Sequence, residues 1–306
     1  MTPTPPAAGR AHSPTRPGPH GRRRRTAAAV ALACLATLAL AGQARADTGI
    51  LVIGDFGVGG DAELRLGAAV ERFADDRPAN ALVTLGDNDY TERPRAFRRN
   101  WRVSFGWAAD AGLLVAGTLG NHDVRLDRGR YELELLEMPR PYYRRLVGDV
   151  EIFVLASTAI DRPQLAWLER VLARSTAPWK VAAIHHPPYS CGAFTGDRQV
   201  RRHVLPLLER HGVKLLLAGH DHNYQRFASR EGLTQVVNGG GGAPLYPLSR
   251  CPSGFPERAA ARETHGFLYL RASQEALRGR AVGISGAIID RFAVYPYPAY
   301  LQAWPT

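Results

Sequence analysis

Five short clusters in the sequence hold residue types that can do chemistry, and each directly follows an apolar run. They are Gly54-Asp55-Phe56-Gly57, Gly86-Asp87-Asn88-Asp89-Tyr90, Gly120-Asn121-His122-Asp123, His185-His186-Pro187-Pro188 and Gly219-His220-Asp221-His222. Singly each is weak, because a Gly-Asp pair after a strand usually makes a turn and caps the next helix. His220 and His222, two apart, put both rings on one face if the chain there is extended. Together Asp55, Asp87, Tyr90, Asn121, His185, His220 and His222 supply carboxylate, phenolate, amide and imidazole donors. That is too many for one tetrahedral ion and suits two ions with one donor bridging. Mixed carboxylate and imidazole fits iron, zinc or manganese better than calcium.

The elements that must position these clusters are legible as apolar runs at 50–53, 81–85, 113–118, 150–155, 181–184, 214–218 and 235–237. Each is nearly continuous in apolar residues, as strands buried on both faces are. Helix-period segments at 62–73, 164–173 and 200–210 lie between several of them. Alternation of strand and helix implies mainly parallel pairing and an α/β fold class. In a parallel sheet the C-terminal strand ends lie along one edge, where ligands bind. Five loops leaving that edge would bring their polar residues to one place. A glycine loop at 239–242 and strand-like pieces such as 267–271 follow. With no internal repeat and no Ser- or Gly-rich linker, 47–306 reads as a single domain.

The first 46 residues have a different character. Residues 1–21 contain no acid; Arg22 to Arg25 precede an apolar run at 27–42, which ends in Ala44-Arg45-Ala46. Basic region, apolar region and small-x-small site in that order make a secretory signal peptide. The run is short for a bilayer span, which needs about 20 residues; retention as an anchor is the alternative. Consecutive arginines admit the twin-arginine route beside the general secretory one, and the product would be secreted or periplasmic. Removing the seven arginines of this segment from the formal charge of +11 leaves about +4. That favours anionic substrates mildly and makes no case for nucleic acid. Past the segment only Cys191 and Cys251 remain, and in an oxidising compartment two cysteines pair or stay as two thiols.

The set Gly54-Asp55-x-Gly57, Gly86-Asp87-x-x-Tyr90, Gly120-Asn121-His122, His185-x-Pro187 and Gly219-His220-x-His222 resembles the five-motif signature of purple acid phosphatases. These lie within the calcineurin-like metallophosphoesterase superfamily, and without an added N-terminal β domain the chain resembles their small, tartrate-resistant form. The resemblance implies a four-layer α-β-β-α sandwich. It implies Asp55, Tyr90 and His222 on a ferric ion, Asp87 bridging, and Asn121, His185 and His220 on a second ion, Fe(II), Zn(II) or Mn(II). Small phosphate monoesters would be hydrolysed by in-line attack of a metal-bound hydroxide, with His122 protonating the departing oxygen. Tyr90, together with Gly57 where many diester-cleaving relatives have histidine, points to the monoesterase branch.

Other residues keep two readings. His186 contacts phosphate or is a partly buried loop histidine; Asp123 orients His122 or caps a helix. Arg93, Arg95, Arg98 and Arg99 form a solvated helix face or a rim that attracts anions. Asp221 and Asn223 are structural, and His203 and His211 belong to a polar surface. No role is assigned to His265 or to the shape of 190–197. Two other functions compete: a phosphodiesterase on cyclic nucleotides or phospholipid head groups, and a non-catalytic exported binding protein of the same fold. Oligomeric state is not encoded in any motif.

Overall fold

A computed structural model describes residues 47–228 and 232–296. Residues 1–46, read from the sequence as a signal peptide, lie outside the described residues. Strands β1 (Thr48–Ile53), β2 (Ala81–Thr84) and β3 (Leu114–Gly117) form on the first three apolar runs and pair in parallel. They are joined by α1 (Asp61–Ala74) and then by α2 (Pro94–Phe105) with the short α3 (Trp107–Asp110). Pro94 starts α2, where its missing N–H costs nothing and its fixed φ suits a helix. After α4 (Arg130–Leu135) come β4 (Tyr143–Val147) and β5 (Val150–Val154). Next are α5 (Arg162–Arg174), capped by the Asp161 carboxylate on the Gln164 amide, and β6 (Trp179–Ile184). A π-helical turn (Val200–Val204) runs into α6 (Leu205–Arg210), then β7 (Leu215–Ala218), β8 (Tyr224–Phe227) and β9 (Thr234–Asn238). The chain closes with β10 (Arg258–Arg262), β11 (Gly266–Ala272), β12 (Leu277–Gly283) and β13 (Ile288–Val294).

These strands make two sheets, ordered β13-β12-β11-β1-β2-β3 and β10-β8-β9-β7-β6-β5-β4. Parallel pairing holds along β1-β2-β3, which form one side of the first sheet out to its β3 edge, and along β5-β6-β7-β9 in the middle of the second. Antiparallel strands extend them: β11 to β13 beside β1, and β4, β8 and β10 in the second sheet. The apolar-run signal missed β4, β10 and β13, whose solvent-facing sides break the apolar run, and β8 and β12, where Gln225 and Arg226, and Arg278, Gly279 and Arg280, interrupt it.

Period-two alternation explains the layering. Val150, Ile152 and Val154 of β5, Val181 and Ala183 of β6, and Leu215 and Leu217 of β7 join the core that holds the first sheet. Their neighbours Phe153, Ala182, Ile184, Leu216 and Ala218 pack against Trp167, Leu168 and Leu172 of α5 and Leu205 and Leu208 of α6. On the first sheet's other side, Leu66 and Val70 of α1 and Phe97, Trp101 and Phe105 of α2 are buried. The fold is therefore a mixed α/β sandwich of two sheets flanked by helices, as the resemblance implied.

Two loops of the second sheet are tied together by a disulfide between Cys191 and Cys251, 60 residues apart in the chain. The Ser249 amide donates to the Cys191 carbonyl and Arg258 donates to the Cys191 and Ser249 carbonyls. Among the described residues no helix is long and apolar enough to cross a membrane. Chain-entropy reasoning puts a cross-link of this loop length at about 4 kcal/mol. Cys191→Ser with Cys251→Ser is expected to lower the unfolding free energy by roughly 2–4 kcal/mol, read from denaturant midpoints; an unchanged midpoint would show that the hydrogen bonds alone hold the loops.

Candidate metal centre

All five chemistry-bearing clusters begin at the C-terminal ends of parallel strands: β1, β2 and β3 in one sheet, β6 and β7 in the other. Asp55, at φ 59°, and Asp87, at φ 49°, sit in left-handed backbone conformations, as does His220 at φ 73°. Non-glycine residues pay roughly 1–3 kcal/mol for such geometry, which persists where the surroundings fix it. Here backbone amides do so. His220 N–H donates to both oxygens of Asp55, at 3.0 and 2.9 Å, and His122 N–H donates to Asp87 Oδ1 at 2.8 Å. Two glycines are needed because these carboxylates lie against the chain. A Cβ on Gly120 would come 2.2 Å from Asp87 Oδ1, and one on Gly219 would come 2.4 Å from Asp55 Oδ2.

The seven expected donors fall into two groups. Asp55, Asp87 and His222 offer ligand atoms all within 4.8 Å of one another, with His222 Nε2 3.6 Å from Asp55 Oδ1. The Tyr90 hydroxyl lies 3.0 Å from the same His222 nitrogen. In the second group His185 Nε2 lies 3.1 Å from Asn121 Oδ1, 3.2 Å from His220 Nδ1 and 3.5 Å from Asp87 Oδ1. Asp87 thus stands between the groups. His186 also enters the second one, its ligand atom within 4.8 Å of those of His185 and His220.

Hydrogen bonds fix the tautomers that matter. His185 Nδ1 donates to the Leu85 carbonyl and His222 Nδ1 to the Pro244 carbonyl, each at 2.8 Å. Both Nε2 lone pairs therefore face the centre, the pattern that outer partners impose on metal-binding histidines. His186 Nδ1 is 2.8 Å from the Ser157 hydroxyl. His122 Nε2 stands 4.0 Å from Asp87 Oδ2, and its ring lies against that of Tyr90 at 4.3 Å.

Electrostatics runs against holding these groups together without a counter-charge. Burial, and next the Asp87 carboxylate, push the Asp55 carboxyl well above its ordinary range. Burial also lowers the imidazoles: His186 to about 4 and His220 to about 2, with His185 adding to each shift, and His122 and His222 less far. The Tyr90 phenol is raised by burial, then by Asp55 and Asp87. Neutral imidazoles are the donor form, and adjacent buried carboxylates want positive charge. Among the described residues only His122, His185 and His222 come within ion-pair distance of Asp55 or Asp87. This donor set fits two cations.

Several expectations change. His220 and His222 do not share a strand face: β7 ends at Ala218, the chain turns, and the two rings go to different groups. Asp123 neither caps a helix nor contacts the His122 ring. Its buried carboxylate accepts from the amides of Asn88, Asp89 and Gly120 and from the Asn88 side chain, so it pins the second cluster to the third. Arg95, Arg98 and Arg99 form the exposed face of α2, opposite buried Phe97, Trp101 and Phe105, and Arg93 is exposed at its N-cap. Asp221 is structural, accepting from Ser190, Ala193 and Asn223. His203 is exposed, His211 lies past α6 near Glu169, and His265 Nδ1 lies 3.3 Å from the Gly240 carbonyl.

Three contributors escaped the motifs. Ser157, which holds His186, follows β5, another parallel strand end, and that position was the available signal. Phe194 stacks on His220 at 4.2 Å and Tyr246 on His222 at 4.1 Å, from the two loops that the disulfide joins. No local pattern in the sequence marks either ring.

Comparison with known proteins agrees with this geometry. Residues 48–224 match the calcineurin-like phosphoesterase family model. Tartrate-resistant acid phosphatase type 5 of Sus scrofa is 25% identical over 253 residues, 68% of this chain and 73% of that protein. A cAMP/cGMP dual specificity phosphodiesterase of Mycobacterium tuberculosis is 29% identical over 175 residues, 53% of this chain and 55% of that protein. Among solved structures, a purple acid phosphatase from yellow lupin (Lupinus luteus) seeds superposes with TM-score 0.71 at 17% identity, covering 82% of this chain and 54% of that one. With the family's motifs in order on one strand edge and the model matching more than half its length, the chain belongs to the calcineurin-like phosphoesterase family.

Proposed function

We propose that this chain is an exported acid phosphatase with a dinuclear metal centre, acting on small phosphate monoesters. The observation that carries the reading is the grouping of oxygen and nitrogen donors on both sides of Asp87, with the Tyr90 hydroxyl 3.0 Å from His222 Nε2. Asp55, Tyr90 and His222 would hold a ferric ion, Asp87 would bridge, and Asn121, His185 and His220 would hold Fe(II), Zn(II) or Mn(II). When bound, the pair of ions supplies positive charge against the anionic ester and a water activated for attack below neutral pH.

The chain's own residues supply the rest. The His122 N–H holds Asp87 in place while its ring, partly open to solvent, presents Nε2 toward the departing ester oxygen. His122 Nδ1 has no hydrogen-bond partner among the described residues, and Nε2, 4.0 Å from Asp87 Oδ2, would pass the proton to the departing oxygen. His186, held by Ser157, contacts phosphate at the second group. Phe194 and Tyr246 cover His220 and His222 and limit the water that reaches them. Export is supported by the order of basic run, apolar run and cleavage site, and by the Cys191–Cys251 bond, which forms and persists in oxidising compartments. A second reading, cleavage of phosphodiesters, is favoured by one observation, the likeness to the mycobacterial phosphodiesterase.

Three measurements test the reading. Protein purified without chelator is expected to contain iron and to show a visible charge-transfer band that Tyr90→Phe removes; a colourless, iron-free and fully active preparation would overturn the role of Tyr90. His122→Ala should lower kcat on p-nitrophenyl phosphate about 100-fold, the usual worth of a positioned proton donor, with KM changed little. Parallel assays on p-nitrophenyl phosphate and bis-p-nitrophenyl phosphate should give the higher kcat/KM for the monoester. The reverse ranking would favour the second reading.

A further inference from the structure

The other end of the first sheet carries a different concentration of charge. A cavity of about 330 Å3 is lined by Arg77, Arg271, Arg278, Arg280 and Arg291, with Tyr269 as a wall and Asp76 as the one acid. Gly49, near the start of β1, pairs with Arg271, whereas Asp55 follows the end of β1. Six residues of extended chain separate the cavity from the metal centre by on the order of 20 Å.

The register makes the charge unusual. Arg271 lies directly opposite Arg278 across the β11–β12 ladder, and Arg280 lies directly opposite Arg291 across β12–β13. Like charges in facing positions destabilise a sheet. Compensation inside the chain is partial: Arg271 pairs with Asp47, Arg278 approaches Glu275 at 3.9 Å, and Arg77 donates to the Phe73 carbonyl. Arg280 and Arg291 have no ion pair among the described residues; of the segments outside them, 1–46 and 297–306 contain no Asp or Glu, and 229–231 contains one, Glu231. The Tyr269 hydroxyl donates to the Pro78 carbonyl at 3.0 Å, so its ring is fixed in place.

We propose that this cavity is a second anion site, separate from the metal centre, that binds a phosphate- or diphosphate-class oxyanion, free or carried on a lipid headgroup. Guanidinium groups match phosphoryl oxygens with paired N–H donors. The volume lies at the small end of the range for small-molecule sites, which suits a compact anion. A bound anion also removes the repulsion between the facing arginines. The inference is independent of which ester the metal centre cleaves.

Calorimetric titration of the metal-loaded protein with methylenediphosphonate, which phosphatases do not hydrolyse, provides the test. The expected result is two equivalents bound by the wild type, one at each site. Arg280→Glu should weaken the remote equivalent at least tenfold and leave p-nitrophenyl phosphate turnover unchanged. It should also raise the melting temperature in anion-free buffer, because it sets opposite charges across β12–β13. Arg280→Gln, which only removes charge, should weaken binding in the same direction and decides the matter if the reversal fails to fold. Sedimentation with phosphatidylcholine vesicles, with and without phosphatidylglycerol, separates the sources: binding that needs phosphatidylglycerol and is lost in both variants identifies a lipid headgroup. A single equivalent in the wild type, with vesicle binding insensitive to both substitutions, overturns the proposal.

Discussion

Two carboxylates buried side by side, Asp55 and Asp87, are the constraint on which the rest of the centre depends. Desolvated and adjacent, they repel each other, and the described part of the chain places no lysine or arginine within ion-pair reach of either. What it does supply is backbone amides, which orient carboxylates without neutralising them. The left-handed conformations of Asp55, Asp87 and His220 and the contacts at Gly120 and Gly219 follow from holding the acids that close to the chain. A site kept at this cost is preorganised for positive charge.

The donors also divide by sheet. Asp55, Asp87, Tyr90 and Asn121, the oxygen donors, all follow strands of the first sheet, while His185, His220 and His222 follow strands of the second. Neither sheet carries both kinds. Assembly of the centre is therefore the same event as packing the two inner faces, where Val52 and Val83 share a core with Val181 and Leu217. Links such as His220 N–H to Asp55, His185 to the Leu85 carbonyl and Asn238 to the Val52 carbonyl cross between the sheets and hold that seam at the strand ends.

Strand ends and donor types were legible in the sequence because both are local: continuous apolar runs mark strands buried on two faces, and Gly-Asp or Gly-His pairs mark tight turns after them. What the motifs missed depends on tertiary placement. Phe194 and Tyr246 reach their histidines only because distant loops are held together, partly by the Cys191–Cys251 bond. Asp123 was misread for the same reason: its partners Asn88 and Asp89 are 35 and 34 residues away in sequence. The run of arginines before Trp101 was ambiguous until the apolar residues Phe97, Trp101 and Phe105 fixed which face of α2 is buried. Single-faced strands such as β10 and β13 lack the pattern that identified the others.

The first sheet thus carries opposite imbalances at its two ends. At the C-terminal ends of β1 to β3 it gathers acids, and the second sheet answers with neutral imidazoles, not cations. At the other end β11 to β13 gather arginines in facing register, with fewer carboxylates than guanidiniums around them. A sheet selected only for stability would place opposite charges in facing positions, since each such pair contributes a few tenths to about 1 kcal/mol. Retaining the unfavourable arrangement at both ends is the pattern expected of binding sites, where the missing charge arrives with a ligand. The same physical reading that assigns cations to Asp55 and Asp87 therefore assigns an anion to Arg280 and Arg291.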